Sequence, residues 1–372
     1  MKYYLIAGEA SGDLHASNLM KEIKKLDFEA KFRFWGGDLM QAQGGQLVKH
    51  YKQLAFMGFV EVVQNIGTIL GNIKFCKEDI SNFHPDCVIF IDYPGFNLRL
   101  CKFVKNLGIK TYYYISPQLW AWKSGRVKLI KKYVDHMYVI LPFEKDFYAK
   151  YNYKVDFVGH PLLDALKHIP KINNQQFRSE NRLSNKPIIA LLPGSRKQEI
   201  KKILPLMLSI KKEFSDYEFV IAGAPSFNLD FYNHLINSDI KIITNQTYQL
   251  LQLSEGALVT SGTATLETAL LKVPQVVCYK GSKISYFIAK RLIKHIKYIS
   301  LVNLIMDKEI VKELIQNELT PFNLKKELLK ILEAKHRSNL ILQYDQLQNK
   351  LGESGASKRT AYLIYETLMN NQ

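Results

Sequence analysis

The segment from Gly8 to Asp13, GEASGD, combines small residues with two carboxylates in a pattern that can bind a ligand. It follows the apolar run 3–7, which predicts a strand, and it precedes a helical pattern. Glycines allow a tight turn and a close approach of a ligand, and free N–H groups at a helix start favour an anion. The alternative is that Ser11 or Asp13 only caps the helix. The glycine spacing matches neither GxGxxG nor a P-loop, so it indicates neither dinucleotide nor ATP binding.

A further carboxylate, Asp92, ends the apolar run 87–91 and begins the segment DYPGFN. In an open parallel sheet, ligands bind beyond the carboxyl ends of the strands. A carboxylate in that position can accept a proton from a sugar hydroxyl group. The alternative is a local role, in which Asp92 forms a turn before Pro94.

Two of the three tryptophans of the chain lie in the segment 116–122, SPQLWAW, and cationic side chains follow them. Aromatic faces beside cations suit a sugar, an acyl chain or a phosphate. Packing of these tryptophans against the next helix explains the pattern equally well.

Two strand-to-helix turns in the second half of the chain are suited to phosphate groups. In the first, PGSR at 193–196, backbone N–H groups and a guanidinium can hold a diphosphate. In the second, SGTATLE at 261–267, the hydroxyl groups can bind a phosphate or cap the helix. Glu267 can bind ribose hydroxyl groups, or it is a first-turn acid that interacts with the helix dipole. Two such turns in one half of the chain together indicate a nucleotide site.

These turns join short apolar runs to amphipathic helical patterns, which predicts an α/β fold with parallel sheets. Most of the runs are continuously apolar, as expected for parallel strands that are buried on both faces. The predicted strands are 3–7, 87–92, 111–116, 136–141 and 155–158, followed by 187–192, 218–222, 241–244, 257–260 and 275–279.

A polar stretch with two prolines, 166–187, separates two predicted domains. A length of 372 residues suits two hydrophobic cores better than one. We therefore place an N-terminal domain at 1–168 and a C-terminal domain at 169–354. A last amphipathic helix within 355–372 has Ala361, Ile364, Tyr365 and Leu368 on one face, and it can pack back on the first domain.

The formal net charge of +17 favours an anionic partner, and a solvated lysine-rich surface explains it equally well. Residues 54–75 are strongly apolar with one acid, whereas residues 280–297 hold six Lys or Arg and no acid. Together they predict a membrane-seeking surface. The alternatives are core packing for the first segment and phosphate or partner binding for the second. We find no signal-peptide pattern and no run of 18 apolar residues, so we expect a cytoplasmic protein that can lie on a membrane without spanning it.

Several classes of function have no pattern in this sequence. An Asp-x-Asp motif is missing, which disfavours a metal-held sugar diphosphate, and so are HExxH, GxSxG and clustered His/Cys ligands. No zinc finger, RNP signature or recognition helix indicates a nucleic-acid-binding module. The four cysteines form no CxxC pair, and we expect buried free thiols.

Eight segments occur in the same order as the motifs of one known family. They are AGEASGD at 7–13, MGFVEV at 57–62, IDYPGFN at 91–97, SPQLWAW at 116–122, LPFEKDFY at 141–148, VGHPLLD at 158–164, LLPGSR at 191–196 and SGTATLE at 261–267. On these segments, and on AKRLIK at 289–294, the chain resembles the lipid-A-disaccharide synthase family over nearly its whole length.

The resemblance implies a GT-B fold, in which two Rossmann-like domains face a cleft. It implies an inverting transfer, without a metal or other cofactor, of 2,3-diacylglucosamine from its UDP derivative to 2,3-diacylglucosamine 1-phosphate (lipid X). The product is the β-1′,6-linked lipid A disaccharide 1-phosphate, and UDP leaves. The implied partners are these two substrates and, peripherally, the cytoplasmic leaflet of the inner membrane of a Gram-negative bacterium, without nucleic acid. The oligomeric state stays open, and a homodimer can form by exchange of the C-terminal helix.

The family's motifs also imply roles for individual residues. Asp92 is the general base that deprotonates the acceptor 6-hydroxyl group, and Glu9 and Asp13 are the next candidates. The motif around Asp92 often has a second aspartate where this chain has Gly95. The acceptor side in the N-terminal domain comprises Ser11, Gly12, Asn97 and Ser116. The UDP-sugar side in the C-terminal domain comprises Gly194, Ser195, Arg196, Ser261, Gly262, Thr263 and Glu267, with Asn303 nearby. The membrane patch comprises Phe59, Val62 and Ile66.

Other classes of function are compatible with parts of this pattern. A different UDP-sugar enzyme of the GT-B type, such as a peptidoglycan-precursor transferase or an epimerase, is distinguished by its product. A non-catalytic UDP-sugar-binding membrane protein binds UDP without turnover. A basic nucleic-acid-binding protein shows binding that weakens steeply with salt.

Overall fold

A computed structural model of the chain divides into two compact units, 1–167 with 351–372 and 168–350. It describes residues 1–54, 66–122, 124–167, 169–170, 172–236, 240–281 and 297–370. Phe59, Val62 and the side chain of Ile66 lie outside the described part, as do residues 282–296 of the basic segment. None of the helices that the structure describes is both long enough and apolar enough to cross a membrane.

The first unit is built on a seven-stranded parallel sheet with the order β3-β2-β1-β4-β5-β6-β7. The strands are β1 Lys2–Ala7, β2 Lys31–Gly36, β3 Gln46–His50, β4 Cys87–Ile91, β5 Lys110–Tyr114, β6 His136–Val139 and β7 Asp156–Phe157. The helices are α1 Ala10–Leu26, α2 Asp38–Ala42, α3 Ile66–Phe83, α4 Pro94–Asn106, α5 Leu119–Trp122, α6 Val127–Tyr133, α7 Glu144–Ala149, α8 Pro161–Lys167 and α17 Ala356–Met369.

Both faces of this sheet are covered, which explains the continuously apolar strands. Tyr4 and Ile6 of β1 belong to one hydrophobic core, whereas Tyr3 and Leu5 belong to the other. Successive side chains of a strand point to opposite faces, so a strand between two cores needs apolar residues at every position.

The last helix, α17, packs on the second of these cores. Its Ala361, Ile364 and Leu368 are buried there, and the hydroxyl group of Thr367 lies 2.8 Å from that of Tyr112 on β5. The end of the chain is therefore part of the first unit, although some 180 residues of the second unit separate the two segments.

The second unit is built on a six-stranded parallel sheet with the order β10-β9-β8-β11-β12-β13. The strands are β8 Ile188–Leu192, β9 Glu218–Gly223, β10 Lys241–Thr244, β11 Ser254–Thr260, β12 Gln275–Tyr279 and β13 Lys312–Ile315. The helices are α9 Asn174–Glu180, α10 Lys197–Ser209, α11 Leu229–Asn233, α12 Thr247–Gln252, α13 Thr263–Leu270, α14 Leu301–Met306, α15 Pro321–Leu332 and α16 Ala334–Leu351.

Each sheet reverses its strand order once, between β1 and β4 in the first unit and between β8 and β11 in the second. At such a switch point the chain leaves the two neighbouring strands in opposite directions, which opens a crevice at their carboxyl ends. The segments that follow these four strands contain the candidate residues Glu9, Asp92, Ser195 and Thr263.

Candidate active site

Asp92 directly follows β4, which ends one residue earlier than predicted because the chain turns sharply there. Asp92 has a φ of 42° and Tyr93 a φ of 48°, so two successive residues adopt the left-handed conformation. Such a conformation costs on the order of 1–3 kcal/mol for each non-glycine residue, and it persists only where the surroundings hold it. The turn places Asp92 at the carboxyl end of β4, the part of a parallel sheet where ligands bind.

Hydrogen bonds to the backbone of Asp92 hold this turn. The N–H of Asp92 donates to the carbonyl of Tyr114 at 3.1 Å, on the neighbouring strand β5. The carbonyl of Asp92 accepts from the side-chain amide of Asn97 at 2.8 Å and from the hydroxyl group of Tyr113 at 2.5 Å. Asn97 is fully buried, so the structure places this predicted acceptor-binding residue beneath the turn, where it supports Asp92.

The carboxylate of Asp92 is strongly perturbed. Burial and the nearby negative charge of Glu9 raise the pKa of Asp92 to about 7, although a hydrogen bond from the backbone of Tyr93 acts in the opposite direction. A carboxylate with this pKa accepts a proton at neutral pH far more readily than an ordinary aspartate. Glu9 itself is exposed, and it follows β1, the strand next to β4.

The remaining residues of the first candidate segment have separate environments. Ser11 is exposed in the first turn of α1. Gly12 faces β1, where a Cβ atom would stand 3.2 Å from the Cβ of Ala7, so its small size allows close packing of helix and strand. Asp13 is 2% exposed, and its carboxylate accepts hydrogen bonds from three backbone N–H groups, those of residues 37, 39 and 40. Asp13 therefore anchors the start of α2.

Ser116 lies just beyond β5, which ends two residues earlier than predicted. Ile115 has a φ of 67°, an uncommon conformation for a β-branched residue, and it interrupts the strand. The hydroxyl group of Ser116 lies 2.8 Å from that of Tyr148 and is buried. Because Asp92 pairs with Tyr114 through its N–H, Ser116 belongs to the same edge of the sheet as Asp92.

The switch point of the second unit contains a cavity of about 290 Å³. Six of the predicted UDP-binding residues line it: Gly194, Ser195, Ser261, Gly262, Thr263 and Glu267. Two helices, α10 and α13, begin beside it, and the free N–H groups at a helix start attract phosphate. The cavity therefore has the position and the chemistry of a nucleotide site.

Both turns at this cavity depend on glycine. Gly194 has a φ of 110°, and Gly262 has a φ of 155° with a ψ of −163°. The second combination is almost confined to glycine, because a Cβ atom would clash with the backbone. The hydroxyl group of Ser261 donates to the carbonyl of Ile299 at 2.9 Å, which fixes the turn against the segment before α14.

Glu267 lies one turn into α13, where Tyr248 holds it. The hydroxyl group of Tyr248 donates to its carboxylate at 2.8 Å. Burial raises the pKa of Glu267, and this hydrogen bond lowers it in part. A carboxylate fixed in this way can accept hydrogen bonds from the hydroxyl groups of a ribose.

Two predicted UDP-binding residues have other environments. Among the residues that the structure describes, the cavity walls include neither Arg196 nor Asn303. The guanidinium of Arg196 is mostly exposed and pairs with Glu199 at 3.2 Å. Asn303 is fully buried, where its amide donates to the carbonyl of Val311 and its oxygen accepts from the N–H groups of Ile310 and Val311. The side chain of Asn303 thus serves the fold.

The sequence interpretation omitted several residues of these sites. The segment 222–225 at the end of β9, Thr247 after β10 and Glu199 all line the cavity, and Glu144 is buried near Ser116. Their position at the carboxyl ends of parallel strands is the signal that identifies 222–225 and Thr247. In the parts of the chain that the structure describes, no three His, Cys, Asp or Glu side chains are grouped to hold a metal ion.

Two parallel-sheet Rossmann-like units define a protein of the GT-B class, which includes glycosyltransferases and UDP-sugar epimerases. The structure is similar to the UDP-GlcNAc 2-epimerase of Neisseria meningitidis bound to UDP-GlcNAc, with a TM-score of 0.68, 17% identity and 100% coverage of both chains. It is also similar to the calicheamicin glycosyltransferase CalG4, with a TM-score of 0.61, 14% identity and coverage of 99% of this chain and 98% of that one. At these identities the likeness concerns the fold.

The sequence itself defines the family more narrowly. The family model of lipid-A-disaccharide synthetase matches residues 3–366, and the chain belongs to that family. The lipid-A-disaccharide synthase of Coxiella burnetii (strain CbuG_Q212) is 37% identical over 98% of both chains. That of Geobacter metallireducens is 37% identical over 98% of this chain and 96% of the relative. The protein is thus a glycosyltransferase of lipid A biosynthesis.

Proposed function

We propose that this glycosyltransferase condenses UDP-2,3-diacylglucosamine with 2,3-diacylglucosamine 1-phosphate, forming the β-1′,6-linked disaccharide 1-phosphate and UDP. Family membership over residues 3–366 supports the reaction class. The observation that carries the catalytic assignment is Asp92, a carboxylate with a pKa raised to about 7 by burial and by Glu9, at the switch point of the first sheet.

In the proposed reaction, the carboxylate of Asp92 takes the proton from the acceptor 6-hydroxyl group. The oxygen then attacks the anomeric carbon of the donor sugar from the side opposite to UDP. The bond between that carbon and the diphosphate breaks, UDP leaves with the electron pair, and the configuration is inverted. General-base assistance of this kind contributes about 10²- to 10⁴-fold to a rate.

The environments of the three candidate bases favour Asp92. Both carboxylate oxygens of Asp13 accept hydrogen bonds from backbone N–H groups at the start of α2, so this side chain is engaged in holding the fold. Glu9 is exposed, and its charge raises the pKa of Asp92. We therefore assign proton transfer to Asp92 and an electrostatic role to Glu9.

UDP is proposed to occupy the cavity of the second unit. The turns at Gly194 and Gly262 would present backbone N–H groups and hydroxyl groups to the diphosphate, and Glu267 would accept hydrogen bonds from the ribose. The starts of α10 and α13 would stabilise the negative charge that develops on the leaving diphosphate.

We also propose that the protein binds peripherally to the cytoplasmic leaflet of the inner membrane, where both acylated substrates reside. Helix α3, which follows the apolar segment 55–65, leaves Leu70 and Phe75 about half exposed, at 54% and 45%. Lys74 and Lys77 lie on the same helix. Apolar side chains beside cations favour the interface of an anionic bilayer.

Product analysis tests the proposed reaction. A mixture of the two acylated sugars should yield a tetraacyl disaccharide 1-phosphate in a mass spectrum. The fold is shared with UDP-GlcNAc 2-epimerases, so UDP-GlcNAc is the comparison substrate. Epimerisation of UDP-GlcNAc in the absence of disaccharide would overturn the proposal.

A further inference from the structure

Glu144 is a buried carboxyl group that the reaction described above does not use. It follows β6 at the start of α7, and 1% of it is exposed. Its Oε2 accepts hydrogen bonds from the N–H groups of Leu141 at 2.9 Å and Ile140 at 3.3 Å. The side chains of Ser116 and Trp120 lie close enough to Glu144 to lower its pKa, which burial raises to about 8. A single carboxyl group thus joins the segment after β5 to the segment after β6.

A second contact strengthens this connection. The hydroxyl group of Tyr148, one turn beyond Glu144 on α7, lies 2.8 Å from that of Ser116. The ring of Phe143 meets the indole of Trp120 edge-on, with centroids 5.0 Å apart and an interplanar angle of 88°. The residues 143–148 therefore hold both Ser116 and Trp120 from one side.

A strained residue directly precedes the segment that is held in this way. Ile115 has a φ of 67°, and its N–H donates to the carbonyl of Tyr138 at 3.0 Å. A β-branched residue keeps this conformation only where neighbouring contacts impose it, and such strain is concentrated at functional sites. Ser116 is the next residue along the chain, so its buried contacts with Glu144 and Tyr148 help to impose the turn.

We infer that Glu144 is a positioning residue for the acceptor, because it fixes the segment 116–122 at the sheet edge that also presents Asp92. The inference rests on the proposed function, which assigns this edge to the acceptor sugar. The residues of this segment suit that ligand, because Ser116 has a polar hydroxyl group and Trp120 has a large apolar ring of the kind that can pack against a sugar or an acyl chain. Loss of Glu144 should therefore weaken acceptor recognition and leave the UDP-sugar site in the second unit unchanged.

The test compares Glu144→Leu, which removes every hydrogen bond at nearly constant volume, with Glu144→Gln, which keeps an acceptor and a donor. We expect Glu144→Leu to raise the KM for the acceptor about tenfold, as the loss of one or two hydrogen bonds implies, and to leave the KM for the UDP-sugar within about twofold. Glu144→Gln should restore most of the acceptor affinity. Tyr148→Phe removes one hydroxyl group only, so it should fold and show a smaller effect in the same direction.

Asp135→Asn is the matched control. Asp135 also joins β5 to β6, because it accepts hydrogen bonds from the N–H and the hydroxyl group of Thr111. This contact lies at the amino ends of the two strands, away from Asp92. The Asp135→Asn variant should have a lower melting temperature and an unchanged KM for both the acceptor and the UDP-sugar. Equal effects of Glu144→Leu and Asp135→Asn on the acceptor KM would overturn the inference, as would an acceptor KM that neither Glu144→Leu nor Tyr148→Phe changes.

A direct binding measurement separates this inference from the proposed reaction. Titration of the protein with 2,3-diacylglucosamine 1-phosphate, followed by tryptophan fluorescence, needs no turnover. If the wild-type protein forms no disaccharide, the proposed function fails. A roughly tenfold loss of acceptor affinity in Glu144→Leu would still support the positioning role, and unchanged affinity would exclude it.

Discussion

The aromatic ring of Tyr93 packs against Gly8 so closely that a Cβ atom on Gly8 would stand 2.3 Å from the Cγ and Cδ1 atoms of the ring. Gly8 precedes Glu9, and Tyr93 follows Asp92. The contact therefore fixes the relative positions of the two segments that contain the carboxylates. It also explains the glycine at the end of β1 by close approach, since the φ of Gly8 is not positive.

Gly8→Ala should displace the Tyr93 ring and, with it, the left-handed turn at Asp92. Displacement of a catalytic group by about 1 Å can cost about 100-fold in rate, so we expect a loss of kcat of that order. Gly71→Ala in α3 is the control, because nothing lies within 4 Å of its Cβ position. Rates of disaccharide formation and UDP affinity are the measurements. A wild-type kcat in Gly8→Ala would show that this contact does not hold the base.

The pH dependence of the reaction rate should change when the negative charge of Glu9 is removed. A general base acts only when ionised, so kcat/KM should fall as the pH drops below about 7, the raised pKa of Asp92. Glu9→Gln removes the negative charge that raises this pKa, so the fall should move to lower pH. The measurement is the pH profile of both proteins between pH 5 and about 9. Superimposable profiles would contradict the electrostatic role of Glu9.

Gly262→Ala should weaken UDP binding. The backbone conformation of Gly262 is almost confined to glycine, and an alanine there costs on the order of 1–3 kcal/mol or forces the turn to change. We expect at least about a fivefold loss of UDP affinity by calorimetry, with unchanged affinity for the acceptor. Equal losses for both ligands would indicate general unfolding instead of a local effect on the cavity.

Membrane binding should depend on the apolar segment that leads into α3. Replacement of Phe59, Val62 and Ile66 by serine removes three apolar side chains, each worth about 1.5–3 kcal/mol when fully buried in an apolar phase. The triple variant should float less with vesicles that contain anionic lipid and keep the wild-type melting temperature. Phe322→Ser is the control, since Phe322 is 74% exposed on α15 of the second unit. Unchanged flotation of the triple variant would exclude this segment as the membrane contact.

The sequence predicted the central strands well, because burial on both faces leaves a continuous apolar run. It did not predict β2, β3 and β13. In β2, Lys31 and Arg33 interrupt the run of apolar residues, and Arg33 donates a hydrogen bond to the carboxylate of Asp79 at 2.8 Å. Strands β3 and β13 lie at sheet edges, and their sequences QLVKH and KELI mix polar with apolar residues. The polar Glu313 of β13 is buried, where it accepts hydrogen bonds from Ser300 and Asn303. An edge strand of this kind does not differ from a loop in hydropathy alone.

The candidate site could be located from the sequence where it follows the strand order, but the side-chain environments that depend on distant contacts could not be predicted. The turns after β1, β4, β8 and β11 occur at switch points, so their glycines and carboxylates could be identified from the strands that precede them. The environments of Asp13 and Asn303 could not be identified in this way, because both side chains bind backbone groups. Those groups lie 24 to 27 residues away for Asp13, and 7 to 8 residues away across a turn for Asn303. Hydrogen bonds to the backbone leave no signal in the types of the partner residues.

The most direct test of the central claim compares the wild-type protein with Asp92→Asn in mixed micelles that contain UDP-2,3-diacylglucosamine, 2,3-diacylglucosamine 1-phosphate and EDTA. We predict a tetraacyl disaccharide 1-phosphate and equimolar UDP from the wild-type protein. Asp92→Asn should react about 10²- to 10⁴-fold more slowly and keep its affinity for UDP. Disaccharide formation by Asp92→Asn at the wild-type rate, or none by the wild-type protein, would contradict the account.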